Sequence, residues 1–309
     1  SGDNCRVNTK LSNETKIPLI GCASHRLNLA IQEHLKLHSN LLDKVDTLMK
    51  KLQTIKYTAR LRDEQSDTEV KLVAIRRNVT RWSSTFTMVQ RYLQLHKYIA
   101  SLAIKFRELE DLVPCVRETN VLQSLYTNLL TEFHATTLCL QDTDVTLGDA
   151  REMLDSLLNL EDLRSTNFGK KHLLNSSPIV HSKDFESAIT KLCNNKSDEL
   201  NNMEAISIMC FLIAEEEDTS DKDLPVAVRV MKKRKKMNSD NYENVDWVPP
   251  TSNEVERFFS LCKQVYTKYR KRLLPINLEM QLFLKLHTDI WVDGGVLFAK
   301  VYDEAKKED

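Results

Sequence analysis

The chain has 309 residues, 41% of them hydrophobic, which is enough apolar material for one large domain or two ordinary ones. Because 44 Lys and Arg residues balance 44 Asp and Glu residues, no net field draws the molecule to a polyanion, and any nucleic-acid contact must be local. The low content of turn-forming residues, 6 Gly and 7 Pro, argues against an all-β fold. The odd number of cysteines, 7, argues against a disulfide framework, and no apolar run reaches the roughly 20 residues of a membrane span.

The first elements in the chain are a short apolar run and a long periodic segment. Residues 17–22, IPLIGC, contain β-branched residues and predict one buried strand. Ser24 then provides a helix N-cap. From His25 to Leu52 apolar residues recur at three- and four-residue steps, which predicts an amphipathic helix with a break near residues 38–40.

The middle of the chain predicts further helices. The polar residues 62–69 indicate a loop, and residues 84–112 predict a helix that Pro114 limits. Helical patterns also cover residues 118–140, 147–163, 185–193 and 204–213, separated by loops rich in Asn, Ser, Asp and Lys. This region is therefore predicted to be an all-helical bundle.

A charged stretch and two more helices complete the chain. Residues 215–248 hold an acidic run and the basic run 232–236, and predict a flexible connector with Trp247 as its one large anchor. After Pro249 and Pro250, Thr251 or Ser252 can cap a helix that ends at Pro275, and residues 277–287 begin another.

The most specific motif is PPTSNEVERFFSLCKQVYTKYRKRLLPINLEMQLFLK at residues 249–285. It resembles the C-terminal dimerisation region of hAT-superfamily transposases. That region carries Thr-Ser, an acidic residue before Arg, Phe-Ser, a basic cluster with Arg-Leu and Pro, and an apolar helix. Here these stand as Thr251-Ser252, Glu256-Arg257, Phe259-Ser260, residues 270–273 with Pro275, and residues 277–286. Val255 departs from the small Ser of many relatives.

The resemblance implies roles for these residues. It makes Glu256 the last of three carboxylates that hold divalent metal for DNA strand cleavage and joining, with Arg257 beside the active site. It also implies self-association through apolar side chains, namely Phe258, Phe259, Leu282, Phe283 and Leu286. The alternative for Glu256 is a solvent-facing helix residue in an ordinary ion pair.

A second resemblance to the same family covers residues 1–31, SGDNCRVNTKLSNETKIPLIGCASHRLNLAI. Relatives show Asp-Asn before a helix, then a strand that ends in Cys-x-x-His. The resemblance implies that Asp3 is the middle metal-binding carboxylate and that Cys22 and His25 lie beside the active site. One Cys and one His are only half a zinc site, so a packed Cys with a hydrogen-bonded His is the alternative.

A third segment, RNVTRWSS at residues 77–84, is similar to the Arg-Trp-x-Ser segment of the family. There the indole stacks on a displaced base, which implies DNA contact by Arg77, Arg81 and Trp82. A lone Trp before a helix is alternatively a core or lid residue. The basic run 232–236 indicates nuclear localisation or phosphate contact, or simply a solvated segment.

These observations predict a mainly α fold: a helical insertion bundle plus the remnant of an RNase H-like α/β core with one or two short strands at most. The predicted parts are the core remnant (1–31), the helical insertion (32–214), the connector (215–248) and the dimerisation region (249–309).

The function predicted is that of a soluble, nuclear, hAT transposase-derived protein that forms homo-oligomers through its C-terminal helices, with DNA as a further partner. We expect neither a membrane nor a small-molecule substrate. Mg²⁺ or Mn²⁺ is implied for an intact ancestor. Because the first carboxylate of the family precedes the position of Asp3, the chain is interpreted as N-terminally truncated, without a bound metal and without autonomous transposase activity. Two alternatives stay open: the C-terminal part of an active DDE-type transposase, and a helical scaffold with no nucleic-acid role.

Overall fold

The computed structural model describes residues 1–78, 82–213, 242–267 and 272–287, except for the side chains of residues 161 and 162. Its architecture is mainly α, which confirms the predicted fold class. The chain divides into two compact units, Ser1–Thr251 and Ser252–Asp309. Within the described ranges, no helix combines the length and the apolar character needed to cross a membrane.

The described part of the first unit contains α-helices of 6 to 24 residues joined by turns and irregular segments. They are α1 (Arg6–Thr15), α2 (Ala23–Leu35), α3 (Ser39–Leu52), α4 (Ile55–Glu64), α5 (Trp82–Lys105), α6 (Val116–Leu125), α7 (Thr131–Cys139), α8 (Leu147–Asn159), α9 (Lys183–Cys193) and α10 (Asn202–Ser207). Two single turns are π-helical, Tyr126–Leu130 and Gly169–Leu173. The second unit contains α11 (Asn253–Val265) and α12 (Pro275–Leu286).

Most predicted helices are present. The predicted break near residue 38 is confirmed, because a 3₁₀ turn at Lys36–His38 separates α2 from α3. The loop predicted at residues 62–69 is wrong at its start, since α4 continues to Glu64. Tyr57 and Leu61 lie four residues apart and are both buried, so this short helix is fixed by the core rather than by its polar sequence.

The large core of the first unit lies among α2 to α8. Helix α3 inserts Leu42, Val45, Leu48 and Met49, all with no exposed surface, at the spacing of one helix face. Each such side chain contributes about 1.5–3 kcal/mol relative to an exposed position. The amphipathic pattern read from the sequence therefore accounts for this core.

A smaller core joins distant parts of the chain. Ile20 packs with residues of α9 and with segments on either side of residues 214–241, and the buried members are Ile20, Leu147, Ala188, Ile189, Ile208, Val245 and Val248. The end of the predicted connector is thus anchored. Trp247 does not anchor the connector, because its side chain is 67% exposed and makes an edge-to-face contact with the ring of Phe211. The valines beside it are buried instead. Residues 214–241, with the basic run 232–236, lie outside the described residues.

The strand predicted at residues 17–22 does not form. This segment is extended, but its backbone pairs with another segment only at one isolated parallel bridge, between Gly2 and Gly21. Side chains take the place of a neighbouring strand, because Ser182 Oγ accepts from Leu19 N at 3.0 Å and Glu186 Oε2 accepts from Gly21 N at 3.4 Å. The backbone N–H groups of Leu19 and Gly21 therefore find acceptors without a sheet.

Candidate functional site

The N-terminal residues meet the start of α2 at the Gly2–Gly21 bridge. Gly2 N donates to Ile20 O at 3.0 Å, and Cys22 N donates to Gly2 O at 2.8 Å. The backbones of Asp3 and Cys22 therefore run side by side. Asp3, predicted to be a metal-binding carboxylate, and Cys22, predicted to lie beside the active site, are brought together, with His25 one turn further along α2.

Cys22 and His25 occupy different environments. Cys22 is the N-cap residue of α2 and is 2% exposed, whereas His25 is partly exposed. None of the chain's cysteines forms a disulfide. The packed position of Cys22 fits the alternative of a core cysteine, and the active-site-adjacent role stays a prediction.

A buried ion pair between Arg26 and Glu186 contacts the extended segment before α2. Arg26 Nη1 donates to Glu186 Oε1 at 2.5 Å, and both side chains are almost fully buried. Burial lowers the pKa of Arg26, while the adjacent Glu186 carboxylate opposes that shift. Since Glu186 also accepts from Gly21 N, one carboxylate fixes both α2 and the extended segment before it.

The remaining donors of Arg26 bind a π-helical turn. Arg26 Nε donates to His172 O at 3.0 Å, and Nη2 donates to the carbonyls of Leu173 and Leu174. Arg151 Nη1 reaches Leu173 O as well, at 2.8 Å. The two guanidinium groups therefore satisfy carbonyls that the end of the turn leaves without helical partners.

Gly169 allows this turn to pack closely. A Cβ at this position would lie 2.1 Å from the carbonyl oxygen of Leu163, a contact with backbone that cannot move aside like a flexible side chain. The turn also places His172 Nε2 2.8 Å from Glu33 Oε2. Hydrogen bonds from His172 and Lys171 lower the pKa of Glu33.

This network was not predicted from the sequence, although one signal for it exists. Arg26 lies within the apolar stripe of α2, three residues after Ala23 and four before Ala30, both of which are buried. A charged residue on a buried stripe requires a buried partner. The sequence does not identify that partner, because Glu186 is 160 residues away.

The two predicted metal-binding carboxylates lie in different units, and each is bonded locally. Asp3 Oδ1 accepts from Asn8 Nδ2 at 2.7 Å, and Glu256 Oε1 accepts from Ser252 Oγ at 3.2 Å. Among the described residues, no three His, Cys, Asp or Glu side chains form a group that could hold a metal ion. A two-metal centre requires several carboxylates around shared ions, and the metal-binding role of Asp3 and Glu256 stays a prediction.

The predicted DNA-contact segment is only partly described. Arg77 pairs with Asp43, and its backbone N–H donates to Asp46, which also binds Arg76 at 2.8 Å. These acidic residues of α3 neutralise both arginines. Arg81 lies outside the described residues.

Trp82 begins α5 and is 5% exposed, with edge contacts to Phe86 and Phe133. It occupies the core in this structure, which favours the core alternative over base stacking.

The second unit exposes most of its predicted dimerisation side chains. Phe259 is 57% exposed, Phe283 51%, Leu286 50% and Phe258 36%. Leu282 differs, since it is buried along with Val265. Arg257 is exposed on α11 next to Glu256. Leu282 is therefore buried, whereas the other four are apolar side chains exposed on α11 and α12.

One protein-family model matches part of the first unit. The family model of the ZBED1 RNase-like helical domain matches residues 20–127. The match supports a hAT-like, transposase-derived family. It covers about a third of the chain, from the extended segment before α2 into the π turn at Tyr126–Leu130. No curated protein gives a significant match to the chain.

The matched range differs from the ranges that carried the resemblance in the sequence. It includes Cys22, His25, Arg77, Arg81 and Trp82, and also Arg26 of the buried ion pair. Asp3, Glu256 and the C-terminal helices lie outside it. Hence the comparison supports hAT-like character through the helical domain, and the catalytic and dimerisation roles rest on the sequence motifs.

Proposed function

We propose that this chain is a hAT transposase-derived protein that self-associates through the apolar face of its C-terminal helices, defined by Phe258, Phe259, Phe283 and Leu286. The observation that carries the proposal is the exposure of these large side chains on one two-helix unit. Exposed apolar patches of this kind are typical of interaction surfaces.

The size of the unit supports the same proposal. The unit spans Ser252–Asp309, and a single core in a unit below about 70–80 residues rarely contributes more than about 3–5 kcal/mol, so units of this size often rely on disulfides, metals or oligomerisation. In the described part of this unit, Val265 and Leu282 are the buried apolar side chains. Cys262, its cysteine, forms no disulfide. A partner surface is therefore the expected source of further burial.

Charge favours a second copy as that partner. Helix α11 carries Glu254 and Glu256 in its first turn and Lys263 in its last turn. If two α11 helices pack antiparallel about a twofold axis, the acidic end of each meets the basic end of the other. The same patch then serves both protomers, as a symmetric dimer requires.

The proposal is tested by light scattering coupled to size-exclusion chromatography over a range of concentrations. We expect the chain to form a dimer, and the double variant Phe259→Asp/Phe283→Asp to be a monomer. The matched control is Ile55→Asp/Ile104→Asp, which changes two side chains of the first unit that are 92% and 88% exposed. The control should remain a dimer. A wild-type chain that is monomeric at the highest concentration contradicts the proposal.

We also propose that the chain does not cleave or join DNA strands by itself. The support is the local bonding of the two carboxylates, because Asp3 accepts from Asn8 and Glu256 accepts from Ser252. DNA contact at Arg77, Arg81 and Trp82, and a nuclear location, stay predictions. For Arg77, contact with a phosphate requires exchange of its partner Asp43.

A further inference from the structure

A groove of about 380 Å³ lies between α7 and α8, in a part of the first unit that the proposed function does not use. Its apolar lining comes from Met153, Leu157 and Leu160. Its acidic lining comes from Glu132 on α7 and from Asp149 and Glu152 on α8. The groove therefore combines apolar surface with carboxylates from both helices.

The helical hairpin that forms the groove is acidic, although the whole chain is neutral. Residues 131–160 contain six carboxylates, at positions 132, 142, 144, 149, 152 and 155, and a single cation, Arg151. Arg151 is 8% exposed and is bound to Asp155 and to a backbone carbonyl. It therefore presents no free charge to a ligand, and the surface of the hairpin is dominated by negative charge.

The acidic side chains of the groove are not used in ion pairs. Glu132 and Glu152 form no salt bridge within the described residues, unlike the carboxylates of Glu33, Glu108 and Glu204. Asp149 caps α8 by accepting from Thr146, and these hydrogen bonds lower the pKa of its carboxyl group. Among the residues that the structure describes, no lysine or arginine side chain lines the groove.

We infer that this groove binds a basic peptide segment of a partner protein, with apolar side chains against Met153 and Leu157 and Lys or Arg side chains beside Glu132 and Glu152. The charge of the groove selects this occupant, because a cationic segment gains from unpaired carboxylates while a nucleic-acid backbone is repelled. A methionine in the lining suits a peptide, since its flexible thioether adapts to different side chains. The inference is independent of self-association by the second unit.

The test is fluorescence anisotropy of a short labelled peptide of alternating Lys and Leu, titrated with the full chain at low and moderate salt. We expect saturable binding that weakens as salt increases. The double variant Glu132→Lys/Glu152→Lys should bind roughly tenfold more weakly. Its matched control is Glu110→Lys/Asp198→Lys, which makes the same change in net charge at exposed positions outside the groove. The control should bind like the wild type.

A second peptide distinguishes binding in the groove from nonspecific electrostatic attraction to the acidic surface. In this peptide Ser replaces every Leu, so the cations remain and the apolar contacts are lost. We expect its binding to be much weaker than that of the Lys-Leu peptide. Equal binding of the two peptides, or an equal loss in the groove and control variants, overturns the inference. The peptide comparison uses the wild-type chain and does not depend on the stability of any variant.

Discussion

Arg26 and Glu186 form a buried ion pair with a separation of 2.5 Å, although they are 160 positions apart in the sequence. Their side chains are 2% and 4% exposed. The pair connects α2, which lies within the range matched by the helical-domain family, to α9, which lies outside that range. A single contact thus joins distant parts of the first unit.

Removal of Glu186 should be strongly destabilising. In Glu186→Ala, Arg26 becomes a buried charge without a counter-charge, and Gly21 N loses an acceptor. We expect the free energy of unfolding to fall by about 3–5 kcal/mol, measured by urea denaturation followed by circular dichroism. The control Glu14→Ala removes the exposed ion pair with Lys10 and should change the free energy of unfolding by less than about 1 kcal/mol. Equal effects of the two changes would show that the buried pair is not a main connection.

Acid should weaken the fold partly through Glu108. Hydrogen bonds from Lys56 and Tyr57 hold the pKa of Glu108 at about 2, below its ordinary value of 4.5. Because the folded state has the lower pKa, this contribution to stability is complete above pH 4.5 and is lost as the pH falls towards 2. Glu108→Gln should therefore be less stable than the wild type at pH 7, and the difference should shrink between pH 4.5 and 2.

The measurement is the thermal unfolding midpoint of each protein from pH 7 to pH 2. Glu33, Glu64 and Glu118 also have lowered pKa values, so the comparison between variant and wild type isolates Glu108. Glu110→Gln is the control, because Glu110 is exposed and forms no salt bridge within the described residues. A gap between Glu108→Gln and wild type that stays constant down to pH 2 would argue against the assigned shift.

The position of Trp82 can be tested by fluorescence. A chain with Trp247→Phe and Trp291→Phe retains Trp82 as its one indole. Because Trp82 is buried against Phe86 and Phe133, we expect blue-shifted emission, weak quenching by acrylamide, and no change when single-stranded DNA is added. Strong quenching by DNA would instead support the base-stacking role that the sequence motif implies.

Stability gives a second measurement on the same residue. Trp82→Ala should lower the free energy of unfolding by about 3–5 kcal/mol, the cost of removing a large buried aromatic side chain. Trp247→Ala is the matched change at an indole that is 67% exposed, and its effect should be much smaller. Similar losses for the two variants would contradict the core position of Trp82.

Strand cleavage can be tested directly with the purified chain. If the proposal that the chain does not cleave DNA by itself is correct, labelled oligonucleotides incubated with Mg²⁺ or Mn²⁺ remain intact. Nicking by the wild type that disappears in both Asp3→Ala and Glu256→Ala would overturn this expectation and favour the active-transposase alternative. Nicking that survives both changes indicates a contaminating nuclease, to be removed by further purification.

The sequence by itself determined the helical class and the position of most helices. Periodic apolar residues in α3 and α5 give the buried face directly, because a helix repeats every 3.6 residues and its pattern is local. The same local reasoning located the break between α2 and α3. The resemblance of the C-terminal motif also implied self-association through Phe259 and Phe283, which stays a prediction, whereas the exposure of both side chains is seen only in the structure.

Tertiary structure decided what depends on partners far apart in the chain. The apolar run at residues 17–22 has the composition of a strand, but a strand needs a neighbour, and side chains of Ser182 and Glu186 bind its backbone instead. Likewise, the sequence shows Arg77 and Trp82 as a contact motif, whereas packing pairs one with Asp43 and buries the other. Hydrogen bonds, ion pairs and burial between distant residues leave no periodic trace in the sequence, so only the folded chain reveals them.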